Sequence, residues 1–325
     1  MISMKGTRMR RISKVLGAMA LALVTASACS NPGAGFTSAQ PSLPAVAFGA
    51  TAPPASQAAS SGSCNVRASS ARPYAGDDLG THVAAIKARH YLIVGVAADQ
   101  YLTGYLGADG AEQGFDIDLA HAMAQSLFGD PNAVQFKVIS TAERIPDLQQ
   151  KIVDIVIDTM TITCDRLTKV GFSAVYYEAS QKLLVEKGTK YKSLDDLGGK
   201  NVCAQTGSTS ISLIQKAKSK PVAIQVTDIS DCLVLLEENK VSGISTDDTI
   251  LAGLAKQDPN LSVLQAPLET EPYGIAVAHG ATDLEAYVNG VLAHYEADGG
   301  WAASYAHWFA GSLNAANPPS AQYSN

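Results

Sequence analysis

Between Lys14 and Arg67 the chain has no Lys, Arg, Asp, Glu or His, so Val15 to Val66 is a 52-residue window without a formal charge. No ordinary globular surface is built that way. The folded part is therefore expected to lie beyond Arg67, over about 259 residues, enough for one large or two small domains. The formal charge of −6, with no basic cluster in that folded part, argues against a nucleic-acid partner, which needs lysines and arginines to neutralise phosphates.

The window divides at Cys29. Before it, Lys5, Arg8, Arg10, Arg11 and Lys14 precede an apolar run from Val15 to Ala26 and small residues at Ser27 and Ala28, the pattern of an export signal. Ala26-Ser27-Ala28-Cys29 resembles a bacterial lipobox, which implies cleavage after residue 28 and a lipid on Cys29, with the membrane reached through that anchor. Removing five of the 24 basic groups leaves 19 against 30 acidic ones, so the exported protein would carry −11. After Cys29 comes Ala, Ser, Pro and Gly, with prolines at 32, 41, 44, 53 and 54. Such a composition cannot bury enough apolar surface to offset its ordering entropy, so residues 29–70 read as a flexible tether.

Four further cysteines, Cys64, Cys164, Cys203 and Cys232, favour two disulfides in an exported chain, and three pairings are open. Beyond them strands and helices alternate. Leu92 to Val96 and Val134 to Val138 read as strands around a helix carrying Ile117, Ala120, Ala124, Leu127 and Phe128, with Asp116 and Asp118 in its first turn. Strands follow at 153–158, 201–204, 223–227 and 243–246, and helices at 208–217, 230–239, 247–256, 283–295 and 301–309. The expectation is an α/β protein with parallel sheets covered by helices on both faces.

The ordered set Gly114-Phe115-Asp116-Ile117-Asp118-Leu119-Ala120, Arg144-Ile145-Pro146, Val153-Asp154-Ile155, Thr159-Met160-Thr161-Ile162-Thr163-Cys164-Asp165-Arg166, Thr206-Gly207-Ser208-Thr209-Ser210, Thr246-Asp247-Asp248 and Tyr273-Gly274-Ile275-Ala276 resembles the polar amino acid binding proteins of ABC importers, family 3. The likeness covers about Tyr91 to Phe309 and looks closest to the glutamate- and glutamine-binding lipoproteins of actinobacteria. It implies a two-lobed, class II periplasmic-binding-protein-like fold with the ligand in a cleft between lobes. Lobe one would hold residues 71–177 and 271–312, lobe two residues 178–270, and 313–325 would be a flexible tail. On that division Cys203 would pair with Cys232 inside lobe two, and Cys64 with Cys164.

By the same resemblance Arg166 grips an α-carboxylate, where a guanidinium makes two parallel charge-assisted bonds. The loop Gly207, Ser208 and Thr209, opening a helix, offers N–H groups to the same anion. Asp247, with Asp248 as the neighbouring alternative, takes the ammonium, helped by Thr161 and a carbonyl of Asp158 or Thr159. Arg144 falls where acidic-amino-acid binders place an arginine. Ala97 and Thr141 depart from the patterns of relatives, and Tyr101 or Tyr105 is left as the aromatic clamp.

The implied function is capture of an acidic or amide amino acid, glutamate or aspartate ahead of glutamine, by cleft closure and delivery to an ABC permease from the extracytoplasmic face of the cell membrane. A sensor that presents its closed form to a membrane signalling protein is the alternative, and a dehydratase on the same fold a weaker one. No cofactor is expected, and no metal, since the six histidines lack ligand spacing.

Overall fold

The computed structural model describes residues 64–74 and 79–324. The signal segment, Cys29 and the tether up to residue 63 lie outside the described residues. Among those described, no helix is long and apolar enough to cross a membrane.

The path begins with α1 (Gly80–Arg89) and β1 (Leu92–Val96), whose five residues are apolar and which is accordingly placed inside a sheet. A small antiparallel sheet follows, β2 (Asp99–Gln100), β3 (Gly104–Leu106) and β4 (Glu112–Gln113). Then come α2 (Phe115–Phe128), β5 (Val134–Val138), α3 (Arg144–Gln149), β6 (Ile155–Val156), α4 (Cys164–Leu167) and β7 (Val170–Phe172). β8 (Tyr177–Glu186) crosses into a second sheet, which adds β9 (Asn201–Gln205), α5 (Thr209–Lys216), β10 (Val222–Val226), α6 (Ile229–Glu237), β11 (Ile244–Asp247), α7 (Asp248–Gln257) and β12 (Leu261–Val263). β13 (Glu269–Tyr273) returns along β8, β14 (Ala276–Ala278) rejoins the first sheet, and α8 (Thr282–Ala297) and α9 (Gly300–Phe309) cover it.

The first sheet has the order β5-β1-β6-β14-β7 and the second β10-β9-β11-β8-β12, with β13 also on β8. Both are mixed, where the sequence suggests parallel sheets. β1, β5 and β6 are parallel, as are β9, β10 and β11, and these are the strands joined through helices. β8 and β14 run antiparallel to their neighbours. They arrive without a crossover helix, so strand–helix alternation carries no sign of them.

An aromatic cluster roots the crossing strands in the first lobe. Phe115 stands edge-on to Trp301 at 5.6 Å, Trp301 stacks on Tyr305 at 5.0 Å, and Tyr177 and Tyr273, paired in register, belong to the same buried cluster. The second sheet has its own apolar layers on two sides, one containing Cys203 and Cys232. These two cysteines are bonded to each other, and Cys64 is bonded to Cys164 at the start of α4.

The last residues assigned to the tether are packed. Arg67 donates to both carboxylate oxygens of Glu178, at 2.9 and 2.6 Å, and Asn289 Nδ2 donates to Ser70 Oγ and the Ala71 carbonyl, each at 2.6 Å. The stretch expected as a flexible tail reaches back to them, with Ser324 N–H donating to the Ser70 carbonyl at 2.7 Å.

A candidate ligand site between the two lobes

Arg144 opens α3 and is 4% exposed. Its Nε donates to the Thr141 carbonyl at 3.0 Å and its Nη1 to the Asp158 carbonyl at 2.8 Å, so the backbone on two sides fixes the guanidinium. Arg166, in the single turn of α4, is set by Thr163, whose hydroxyl caps that turn by accepting the Arg166 N–H. Its Nη1 donates to the Thr161 carbonyl at 2.7 Å and its Nη2 to the Gly207 carbonyl at 3.2 Å. One side chain thus links the two lobes. Gly207 has φ of +83°, and a Cβ there would lie 2.9 Å from Ala142 Cα, so only glycine lets this second-lobe loop come so close to the first. Ser208 precedes α5 and turns its hydroxyl back to the Gln205 carbonyl at 2.7 Å.

Asp247 ends β11 and precedes α7, a position that places a carboxylate at the junction of sheet and helix. Its Oδ2 accepts from Tyr273 Oη at 2.6 Å, while its buried Oδ1 has no protein partner. Asp248 is used elsewhere: it accepts the Ser180 N–H at 3.2 Å and stands 3.5 Å from Lys182 Nζ. Asp247, Arg144, Thr159, Thr161, Arg166, Ser208 and Thr209 line one tight cavity of about 20 Å³, together with Thr141, Gln205, Ser210, Thr246 and Ile250.

Three expected residues do not line it. Gly207 contributes its carbonyl to Arg166 instead. Asp158 lies behind Arg144, and its carbonyl, one of the two expected to serve a ligand, accepts from that arginine. Tyr101 sits in the turn between β2 and β3, its ring edge-on to Tyr105 at 4.8 Å, with Tyr105 in turn edge-on to Trp308 at 6.1 Å.

Behind the cavity runs a buried polar network. Asp116 at the start of α2 accepts the Thr159 N–H at 2.8 Å and the Tyr176 hydroxyl at 2.9 Å. Gln100 donates to Asp158 Oδ1 at 3.0 Å and accepts the Thr159 hydroxyl at 3.0 Å. The sequence places Asp116 in a family motif and in a first helical turn without giving it this role, and nothing in it singles out Gln100. Glu271, 2% exposed on β13, was also missed; it lines the wider chamber outside the cavity together with Thr161 and Thr209. A lone glutamate beside the Tyr273-Gly274 motif gives no signal of its own.

Burial governs the charges here. It pushes Asp116 up to about 6 and Asp158 up to about 7, the Arg144 charge opposing both rises. Burial, then the Glu271 carboxylate, holds Asp247 well above the usual range. Glu271 is raised by burial too, with the nearby Thr161 and Thr209 hydroxyls and the Arg166 charge opposing. Arg166 is pulled down to about 9 by burial and by Arg144, with Glu271 and Asp247 opposing. Two buried guanidiniums, an unpartnered carboxylate oxygen and a set of hydroxyls offer complementary partners to a small zwitterion. Among the described residues no group of three or more His, Cys, Asp or Glu could hold a metal ion.

The ABC transporter glutamine-binding protein GlnH of Bacillus subtilis (strain 168) is 37% identical over 228 residues, 70% of this chain and 84% of the relative. A glutamine-binding protein of Geobacillus stearothermophilus is 40% identical over 195 residues, 59% of this chain and 74% of its own length. The solved structure of an ancestral arginine-binding protein bound to glutamine superposes with a TM-score of 0.65 at 36% identity, over 68% of this chain and 98% of that one. The model of the bacterial extracellular solute-binding proteins, family 3, matches residues 92–311, from β1 to just past α9, and with both main sheets and the cavity between them inside that span the chain is a member of this family.

Proposed function

We propose that this protein captures an acidic or amide amino acid in the cleft, with glutamate or aspartate preferred and glutamine accepted, and delivers it to an ABC permease. Arg166 and the Thr209 N–H receive the α-carboxylate, the Ser208 N–H being turned to the Gln205 carbonyl at 3.2 Å; Asp247 and the Thr161 hydroxyl receive the ammonium, and Arg144 meets the side chain. The observation that carries this reading is Asp247 Oδ1, a buried acceptor without a protein partner in the same cavity as two buried arginines. A carboxylate oxygen so placed is costly unless a cationic donor comes to it.

The acidic preference rests on the surroundings of Arg144. Its hydrogen-bond acceptors are neutral carbonyls, and its nearest carboxylate, Asp158 at 4.0 Å, is pushed by burial to about 7 and is only partly charged near neutrality. The site therefore retains uncompensated positive charge for a ligand carboxylate. An amide is accommodated by the polar wall of Thr141, Gln205 and Ser210. Export, and lipid anchoring at Cys29, would keep the protein on the extracytoplasmic face beside its permease.

A thermal-shift screen of the twenty amino acids tests this. Glutamate, aspartate, glutamine or asparagine at a hundredfold over its Kd should add about 2.7 kcal/mol of stability. No response to any of the four would remove the assignment.

A further inference from the structure

The span shared with the family starts at residue 92, and residues 64–71, which precede it, run beside the ligand site as a strap. Val66 and Arg67 of the strap, Cys164 and Arg166 of α4, and Ser208 and Thr209 at the start of α5 line one chamber of about 600 Å³. Arg166, Ser208 and Thr209 line the tight cavity as well, so the chamber adjoins it and the strap supplies part of its wall. The two ends of the strap are held differently. Its root is built in: the fully buried Asn289 donates to Ser70 Oγ and the Ala71 carbonyl and accepts the Ala174 N–H at 2.7 Å. Its outer end has Val66 against the apolar layer of Met160 and Ile162, a half-exposed ion pair from Arg67 to Glu178, and the Cys64–Cys164 bond. Exposed ion pairs contribute little, which leaves the covalent bond as the firm hold.

That bond lands on the first residue of α4, a turn of only four residues that carries Arg166 two places further on. So short a helix does not keep its shape on its own hydrogen bonds. Within it, the Arg166 N–H donates to Thr163 Oγ1 at 3.2 Å and the Leu167 N–H to the Thr163 carbonyl at 2.9 Å. Cys64 and Cys164 are both exposed, whereas Cys203 and Cys232 are fully buried. We propose that the Cys64–Cys164 disulfide is a redox-cleavable support of the ligand site. Closed, it holds the strap to α4 and keeps Arg166 aimed at the ligand carboxylate; opened, it releases the outer end of the strap and loosens the turn. The two cysteines are positioning residues, since neither meets the ligand. Opening takes an external dithiol: one thiolate attacks a sulfur of the pair, the S–S bond breaks and the departing sulfur takes a proton. The second thiol then displaces the remaining cysteine, so two electrons and two protons pass to the protein and the dithiol leaves as its own disulfide. The inference rests on Arg166 receiving the ligand carboxylate, as proposed above, and its test includes a readout made without ligand.

The full chain is treated with dithiothreitol, and alkylation with mass spectrometry follows Cys64, Cys164, Cys203 and Cys232. The exposed bond should open at reductant levels that leave the buried one intact. Calorimetric titration with glutamate and with glutamine then compares the oxidised, partly reduced and reoxidised protein and Cys64→Ser/Cys164→Ser. Loss of the bond should weaken both amino acids by the same factor, about three- to tenfold, as the competent arrangement of the turn falls to that fraction, and reoxidation should restore both. In Arg166→Lys, titrated at millimolar ligand, the effect of opening the bond should shrink to within about twofold. Amide hydrogen exchange, read by NMR without ligand, should quicken at Arg166, Leu167 and residues 65–69 once the bond is open. Opening of the buried bond first, unchanged affinity, a loss of equal size in Arg166→Lys, or unchanged exchange at Arg166 and Leu167 would overturn the proposal. If the oxidised wild type binds no amino acid, the ligand reading fails, and the exchange measurement still decides whether the bond holds the turn.

Discussion

Thr159 is a β-branched residue at φ of +42°, a conformation such residues rarely adopt. Its N–H is held by Asp116 and its hydroxyl by Gln100, so the network behind the cavity fixes it. That network has a consequence for pH. A carboxyl whose pKa is raised on folding keeps a proton that the unfolded chain has already lost, so its contribution to stability declines as pH rises from about 4 through the folded value. For Asp158, raised by burial to about 7, the window runs from about pH 4 to 7. The stability difference between wild type and Asp158→Asn should therefore shift against wild type by on the order of 1–4 kcal/mol between pH 5 and pH 8 in chemical denaturation. A difference that does not change with pH would contradict this. Arg144, Arg166 and Asp247 could be named from the sequence because each sits in a short motif of the family, and a charged residue in a fixed motif has few other uses. Asp116 lies in such a motif too, but its role, like those of Gln100 and Glu271, comes from burial and from neighbours distant in the chain, which no motif states.

At the scale of elements, the second lobe is made of strands and helices whose alternation is plain in the sequence, and α5, α6 and α7 begin within a residue of expectation. β8, β13 and β14 were not legible, because the chain enters them from turns and crossings, and their apolar residues follow the needs of two lobes at once. The Cys203–Cys232 bridge joins β9 to α6 across 29 residues in a layer where both cysteines are fully buried. Replacing both with alanine should cost about 2–4 kcal/mol, measured as a lower denaturation midpoint. A loss near zero would mean that packing around the pair, and not the cross-link, holds β9 and α6 together.

For the whole molecule, closure depends on how near the lobes can come. The Ser230 N–H at the start of α6 donates to Asp99 of the first lobe at 3.2 Å, and Gly253 of α7 faces the Tyr101 carbonyl so closely that a Cβ would lie 2.0 Å from its oxygen. In an isolated helix, Gly→Ala would stabilise by roughly 0.5–1 kcal/mol, so Gly253→Ala should leave the second lobe folded while obstructing full closure. If the closed state falls to a tenth of its population, apparent affinity falls about tenfold for every amino acid. Unchanged affinity in Gly253→Ala would show that the approach seen here is not needed for binding. Selectivity, by contrast, is assigned to one buried side chain, and calorimetric titration of wild type and Arg144→Gln with glutamate and with glutamine tests that most directly. Arg144→Gln should weaken glutamate by about ten- to a hundredfold and leave glutamine within a few-fold of wild type; equal losses for both ligands, or no binding of either by wild type, would contradict it.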